Sequence, residues 1–249
     1  MLWQDEGIIL AVRRHGESSA VVSVFTAEHG RHAGLARGAV GRRSRPVHQI
    51  GNAVHATWRA RLAEQLGSFS LELVRPVAAL LLDQPDRLAG LGAACALLEA
   101  GLPERDPHPN LYNTLQGLIE ILLKTEEAWW QRYVAFELDL LADLGFGLDL
   151  TTCAVTGSSE DLAYVSPRTG RAVSRGAAGP YVDRLLPLPG FLTGQGDPDP
   201  AQIRAALELT GAFLRRHLFD VSDSAVPRAR QLLLDRQNRL GRRDRSSRS

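Results

Sequence analysis

The densest chemical feature of this chain is residues 37–45, which read RGAVGRRSR. Arg37, Arg42, Arg43 and Arg45 share the stretch with two glycines. A guanidinium group is planar and permanently charged, and it can grip phosphate through two N–H groups or stack on a base. Glycine lets backbone approach a ligand closely. The combination suits a nucleic-acid polyanion, and Arg13, Arg14 and Arg31 extend the candidate DNA-binding set. The plainer alternative is a solvated basic loop. Trp3 and Trp58 are candidate stacking surfaces and equally candidate core residues.

Catalysis has no comparable foothold. His15, Gly16 and Glu17 match the H-x-E half of a zinc deaminase site, but the P-C-x-x-C half is absent. His29 and His32 lack a suitably spaced third soft ligand and read as hydrogen-bonding groups beside a basic surface. Asp197 and Asp199 have the oxygens for magnesium, yet Asp199 is better explained as a helix cap. Glu126 and Glu127 suit the positive end of the helix that follows them. The GAVG of residues 38–41 lacks the Lys-Ser/Thr of a phosphate-binding Walker loop, and no G-x-S-x-G elbow occurs. The expectation is a non-enzymatic protein with no catalytic residues, no cofactor and no metal.

Short strands must position the arginines. Residues 8–12, 19–26, 32–36, 53–58 and 69–74 are β-rich or alternating, with Gly-rich punctuation between them. Both faces of 19–26 are apolar, so one covers a barrel interior and the other a neighbouring part of the protein. Five strands in 80 residues fit a small closed barrel. An OB-fold has that count, and periodicity alone does not separate it from an SH3-like barrel.

The period then changes to 3.6. Leu88, Leu91, Cys95 and Leu98 form one stripe, and Leu111, Leu115, Leu118, Ile119 and Leu122 a second. Trp129, Tyr133, Phe136, Leu140, Leu141 and Leu144 form a third, each predicting a helix with a buried face. Residues 151–200 read as irregular, and fifty such residues need a substructure of their own. Asp199 and Pro200 open another helix, with Ile203, Leu207, Thr210 and Leu214 on its inner face. A last helix is expected over 227–240. The predicted class is α+β: a five-stranded OB-fold barrel at 1–80, a helical domain at 81–240 with an irregular insert at 151–200, and a disordered basic tail at 241–249.

Charge supports a polyanion partner. The net charge of +1 divides into +4 over residues 1–80, −9 over 81–227 and +6 over 228–249. Only two cysteines, Cys95 and Cys153, occur, which suggests a reducing compartment. Cys95 sits on a helical stripe and reads as core. The opening MLWQDEG lacks an apolar signal region, and no apolar run reaches the length of a membrane span. The expected location is cytoplasmic, without membrane attachment.

Several stretches in order resemble RecO, the bacterial recombination-mediator family. They are residues 5–10 (DEGIIL), Arg14 to Glu17 (RHGE), Thr26, Gly30 with Arg31, and Arg37 to Ala39 followed by Ser44. Phe146, residues 150–153 (LTTC), residues 164–167 (YVSP) and Gly170 continue the resemblance to about Leu240. It implies an N-terminal OB-fold, a basic β-hairpin near residue 37, and a helical domain carrying a zinc-knuckle-like insert. It implies binding to single- and double-stranded DNA, strand annealing, and placement of RecA on DNA coated by single-stranded DNA-binding protein (SSB). RecR is the implied partner, with RecF in some members, in association with the nucleoid. Some members contact the acidic, apolar C-terminal tail of SSB, for which Arg132 is the candidate contact here. The alternative reading is a generic OB-type DNA- or RNA-binding adaptor in another assembly. Zinc-bearing members place two C-x-x-C pairs around the knuckle. Here Cys153 matches the first ligand, Thr156 the second, and Ser174 and Ala177 the second pair. One cysteine does not make a Cys₄ site, so packing of Val155, Leu162, Tyr164, Val165 and Val173 is expected to hold the insert.

Overall fold

The computed structural model describes residues 1–62, 64–124, 128–221 and 224–246, with side chains in the last helix followed to residue 239. The chain forms two compact units: Met1–Glu126 with Pro227–Arg230, and Glu127–Val226 with Gln231–Ser249. The first unit therefore runs well past residue 80.

Five strands build the first unit: β1 (Leu2–His15), β2 (Ser19–Thr26), β3 (Gly30–Ala36), β4 (Ala53–Arg59) and β5 (Ser68–Arg75). The long β1 serves two partners. Its first half pairs antiparallel with β4, from Leu2↔Arg59 to Ile8↔Ala53. Its second half pairs with β2, from Gly7↔Thr26 to His15↔Ser19, with a register shift between Ile9 and Ala11. β2 pairs with β3 and β4 with β5, both antiparallel. Alternate residues converge inside, where Ile9, Val22, Val24, Val54, Ala56, Trp58 and Phe69 form the core. Trp58 is held there by its indole N–H, shared between the carbonyls of Ala33 at 3.2 Å and Leu66 at 3.1 Å. Gly67 permits this: its φ is +67°, and a Cβ would lie 2.5 Å from the Trp58 ring.

The fold class expected from sequence is corrected at two places. The strands follow the circuit β1-β2-β3-β5-β4, but β3 and β5 meet in parallel through only two residue pairs, Leu35↔Ser68 and Ala36↔Phe69. The sheet is thus a mixed one, and its circuit closes only through this short parallel seam. The second correction concerns residues 151–200, described below. The basic segment after β3 is also no β-hairpin: residues 37–47 run through consecutive turns.

Three helices complete the first unit: α1 (Val77–Leu80), α2 (Pro85–Gly101) and α3 (Pro109–Leu123). Proline opens α2 and α3 at their first turn, where its missing N–H costs nothing. The stripe Leu111, Leu115, Leu118, Ile119 and Leu122 is buried as the spacing requires. The outer face of β2 meets this layer, with Phe25 edge-on to Tyr112 at 5.7 Å. Cys95 is fully buried in α2, and burial pushes its thiol up to about 12, so it is an inert core residue.

The second unit holds α4 (Trp129–Asp143), β6 (Leu162–Val165), β7 (Ala172–Ser174), α5 (Arg175–Ala178), β8 (Leu186–Pro187), α6 (Pro200–Leu214) and most of α7 (Arg228–Ser246). Here the stretch read as irregular holds the substructure its length required, a small three-stranded sheet in the order β7-β6-β8. Its strands are too short to show a period, which is why alternation gives no signal. Leu162, Val165 and Val173 pack it as expected, whereas Val155 is 70% exposed and takes no part. Asp199 caps α6 by accepting from the Gln202 N–H at 2.7 Å. α7 continues through Ser246, so residues 241–246 are helical where a disordered tail was expected. Glu126 and Glu127, assigned to the start of α4, lie outside the described residues.

Candidate nucleic-acid interface

The turns of residues 37–45 leave Arg37, Arg42, Arg43 and Arg45 exposed. None of the four has a carboxylate partner among the described residues. The segment is nevertheless fixed. Ala39 is buried in the core of the first unit, and the Val40 N–H donates to the Ser18 carbonyl at 3.2 Å. This bond ties the segment to the β1–β2 turn, beside which Arg14 is exposed and reaches the Glu17 carbonyl at 3.5 Å. Arg14 and the arginine segment are thereby brought to one end of the sheet.

Asn52 fastens the far end of the segment, a role no sequence signal announced. It is 1% exposed. Its amide donates to the carbonyls of Pro46 at 2.8 Å and Val47 at 3.2 Å, and its carbonyl accepts from the Ala78 N–H at 3.2 Å. One side chain thus holds the exit of the loop and the start of α1.

Arg13 and Arg31 form a different group. Both approach Glu99, Arg13 at 3.0 Å and Arg31 at 3.5 Å. Arg31 also approaches Glu104 at 3.4 Å and donates to the Leu102 carbonyl at 2.9 Å. Its side chain is largely covered, whereas that of Arg13 is 71% exposed. Sequence proximity suggested one continuous patch; tertiary carboxylates divide it.

The aromatic candidates are committed to packing. Trp3 stacks on His29 at 4.2 Å between ring centres and on Trp58 at 6.0 Å, with His32 edge-on to both indoles. Burial lowers the His32 pKa, which favours its neutral form. His29 and His32 are thus parts of an aromatic cluster. Among the described residues, no three His, Cys, Asp or Glu side chains are grouped as metal ligands.

In the second unit, the buried Cys153 sulfur accepts from the Ser174 N–H at 3.3 Å and its hydroxyl at 3.5 Å. Burial alone would raise this thiol's pKa. Bonds from the side chain and backbone of Ser174, then of Thr156, outweigh burial and bring it down to about 6. Three of the four positions that match zinc ligands by sequence, Cys153, Thr156 and Ser174, therefore meet in space, with two hydroxyls where thiolates would stand, and the fourth, Ala177, has no donor to offer. This donor set does not fit a Cys₄ zinc site. Arg132 is half-buried on α4, beside the core residue Tyr133.

Comparison with known proteins agrees with this architecture. The model for the N terminal of recombination protein O matches residues 1–77, and that for its C terminal matches residues 82–223. A DNA repair protein RecO from Cereibacter sphaeroides is 51% identical over 236 residues, covering 94% of this chain and 98% of its own. Proteins of the same name from Rhodospirillum centenum and Rhodospirillum rubrum are 50% and 47% identical. They cover 95% and 98% of this chain, and 94% and 99% of their own. Two family models spanning nearly the whole chain, and relatives matched along almost their full length, place this chain in the RecO family.

Proposed function

We propose that this chain is a non-catalytic recombination mediator, as its family membership implies. It binds single- and double-stranded DNA, anneals complementary strands, and works with RecR to load RecA onto SSB-coated single strands. The physical task is to offset the mutual repulsion of phosphates so that two strands come together. The observation that carries the site assignment is the pinned turn segment with its four exposed arginines. Arg37, Arg42, Arg43 and Arg45, with Arg14 beside them, grip the DNA backbone. Arg13 joins when it leaves Glu99, and Arg31 serves mainly to hold that carboxylate in place. Arg132 contributes a charge to a site for the acidic SSB tail. RecF is a further partner in the same pathway, and the work is done on the nucleoid in the cytoplasm.

Replacing Arg42, Arg43 and Arg45 together by Ala tests the DNA-binding assignment. Each phosphate contact removed should lower the slope of log affinity against log salt by roughly 0.7 on single strands. The loss should be equal across base compositions, since backbone contacts carry no sequence code. Circular dichroism should be unchanged, because these exposed side chains contribute no core packing. A folded triple variant with undiminished affinity and salt slope would move the DNA site elsewhere.

A further inference from the structure

On the outward face of the first unit's sheet, Ala11, Ser23 and Ala33 stand side by side across β1, β2 and β3. Three such small side chains in one row leave a hollow. It has a volume of about 310 Å³ and is walled by Arg13, Arg31, Glu99 and Glu104, at the small end of the range for ligand pockets.

Two groups in this hollow lack what buried polar groups require. Ser23 is 4% exposed, and its hydroxyl has no hydrogen-bond partner. Glu99 receives Arg13 on Oε1, whereas its buried Oε2 has only a long ion-pair contact, Arg31 Nη1 at 3.5 Å, and accepts no hydrogen bond. Nearly all buried polar atoms in folded proteins are paired, and exceptions call for an explanation. A carboxylate oxygen can only accept, and a hydroxyl can both accept and donate. The pair therefore suits a small, flat ligand bearing N–H donors.

We propose that this hollow receives one unstacked base of a bound single strand, and that Glu99 and Ser23 favour bases carrying an exocyclic amino group. The proposal rests on the reading that this protein binds single-stranded DNA. Single strands can splay bases out to be read along their edges. Carboxylate acceptance from the cytosine amino group is an established pairing, whereas thymine has no amino group to offer. Arg31 is fixed by the Leu102 carbonyl and Glu104, which makes a rigid wall. Arg13 is mostly exposed and held by one ion pair, a weak tether, so it is the wall that moves. A backbone phosphate that draws Arg13 outward opens the hollow to the base attached to it.

Binding of equal-length oligo-dC, oligo-dA and oligo-dT at one salt concentration tests this. The wild type should hold oligo-dC and oligo-dA about tenfold more tightly than oligo-dT, on the order of one good base contact. Ser23→Val removes the hydroxyl and raises the floor of the hollow with a strand-compatible side chain, and it should bring the ratio to one by weakening oligo-dC and oligo-dA binding. Ser23→Ala should narrow the ratio without affecting folding, which guards against a poorly packed valine. Glu99→Gln removes a negative charge and should raise oligo-dT affinity while narrowing the ratio. Equal wild-type affinities, or a ratio that survives Ser23→Val in folded protein, would overturn the base pocket alone. A uniform gain for Glu99→Gln on all three strands, with the ratio intact, would likewise overturn it and leave Glu99 as a brake on Arg13. Failure of the wild type to bind any of the strands would instead sink the DNA-binding reading itself.

Discussion

At the scale of single residues, hydrogen bonding at a buried thiol has a measurable consequence. Cys153 ionises at about 6 in the folded chain, against an ordinary value of 9.0. Between these values the unfolded chain keeps the proton and the folded chain has released it, so stability rises with pH across this window. The contribution is complete above about pH 9 and is lost as pH falls through about 6. Urea unfolding of wild type and Cys153→Ala should show a stability gap that widens from about pH 6 to about pH 9. A gap independent of pH would mean that the sulfur acts by packing alone. The order of residues in the knuckle made the Cys153, Thr156 and Ser174 grouping legible. Ser23, Glu99 and Asn52 were not legible, because each owes its role to neighbours brought in by tertiary structure. The same cause hid the engagement of Arg31, since Glu99 and Glu104 stand 68 and 73 positions away in sequence.

Among the elements, alternation located the centres of all five strands, and 3.6 periodicity located the long helices. It missed the first six residues of β1, whose partner is β4 and whose exposed Gln4 and Glu6 break the apolar pattern. The β3–β5 seam left no trace because two residue pairs impose no pattern. The arginine segment was visible as composition, but its shape was not, because that depends on Asn52. Asn52→Ala would strip partners from the Ala78 N–H and from two carbonyls. A buried polar group left unpaired costs about 1–3 kcal/mol, and partial access to water at the loop should hold the total near 2–3 kcal/mol. Chemical denaturation measures this. DNA affinity should fall with it, even though Asn52 carries no charge. A variant of wild-type stability would show that the loop does not depend on this clasp.

The two family models divide the chain between residues 77 and 82, beside the boundary expected at residue 80, whereas the compact units divide it differently. The opposed charges of the ends and the middle were visible in the sequence, but the folded units do not follow charge. α2 and α3 belong with the strands, and so does the distant segment Pro227–Arg230. Arg230 in that segment is 3% exposed, which residue type alone would not suggest. Ending the chain at Val226 should therefore lower the melting temperature of the first unit, by on the order of 5 °C for each kcal/mol or so of lost packing. A chain ending at Leu240 should melt close to wild type. Equal melting of the two truncated forms would show that the segment adds nothing to that unit.

The same placement of Pro227–Arg230 also has a meaning in time. A ribosome adds about 5–20 residues each second. After Glu126 emerges, roughly 100 further residues must be made before the segment that finishes the first unit exists. For about 5–20 s the nascent strands wait with their last piece unmade, and a stalled or prematurely released chain never receives it. Full consolidation of the arginine-bearing unit is thus reserved for chains translated past residue 230.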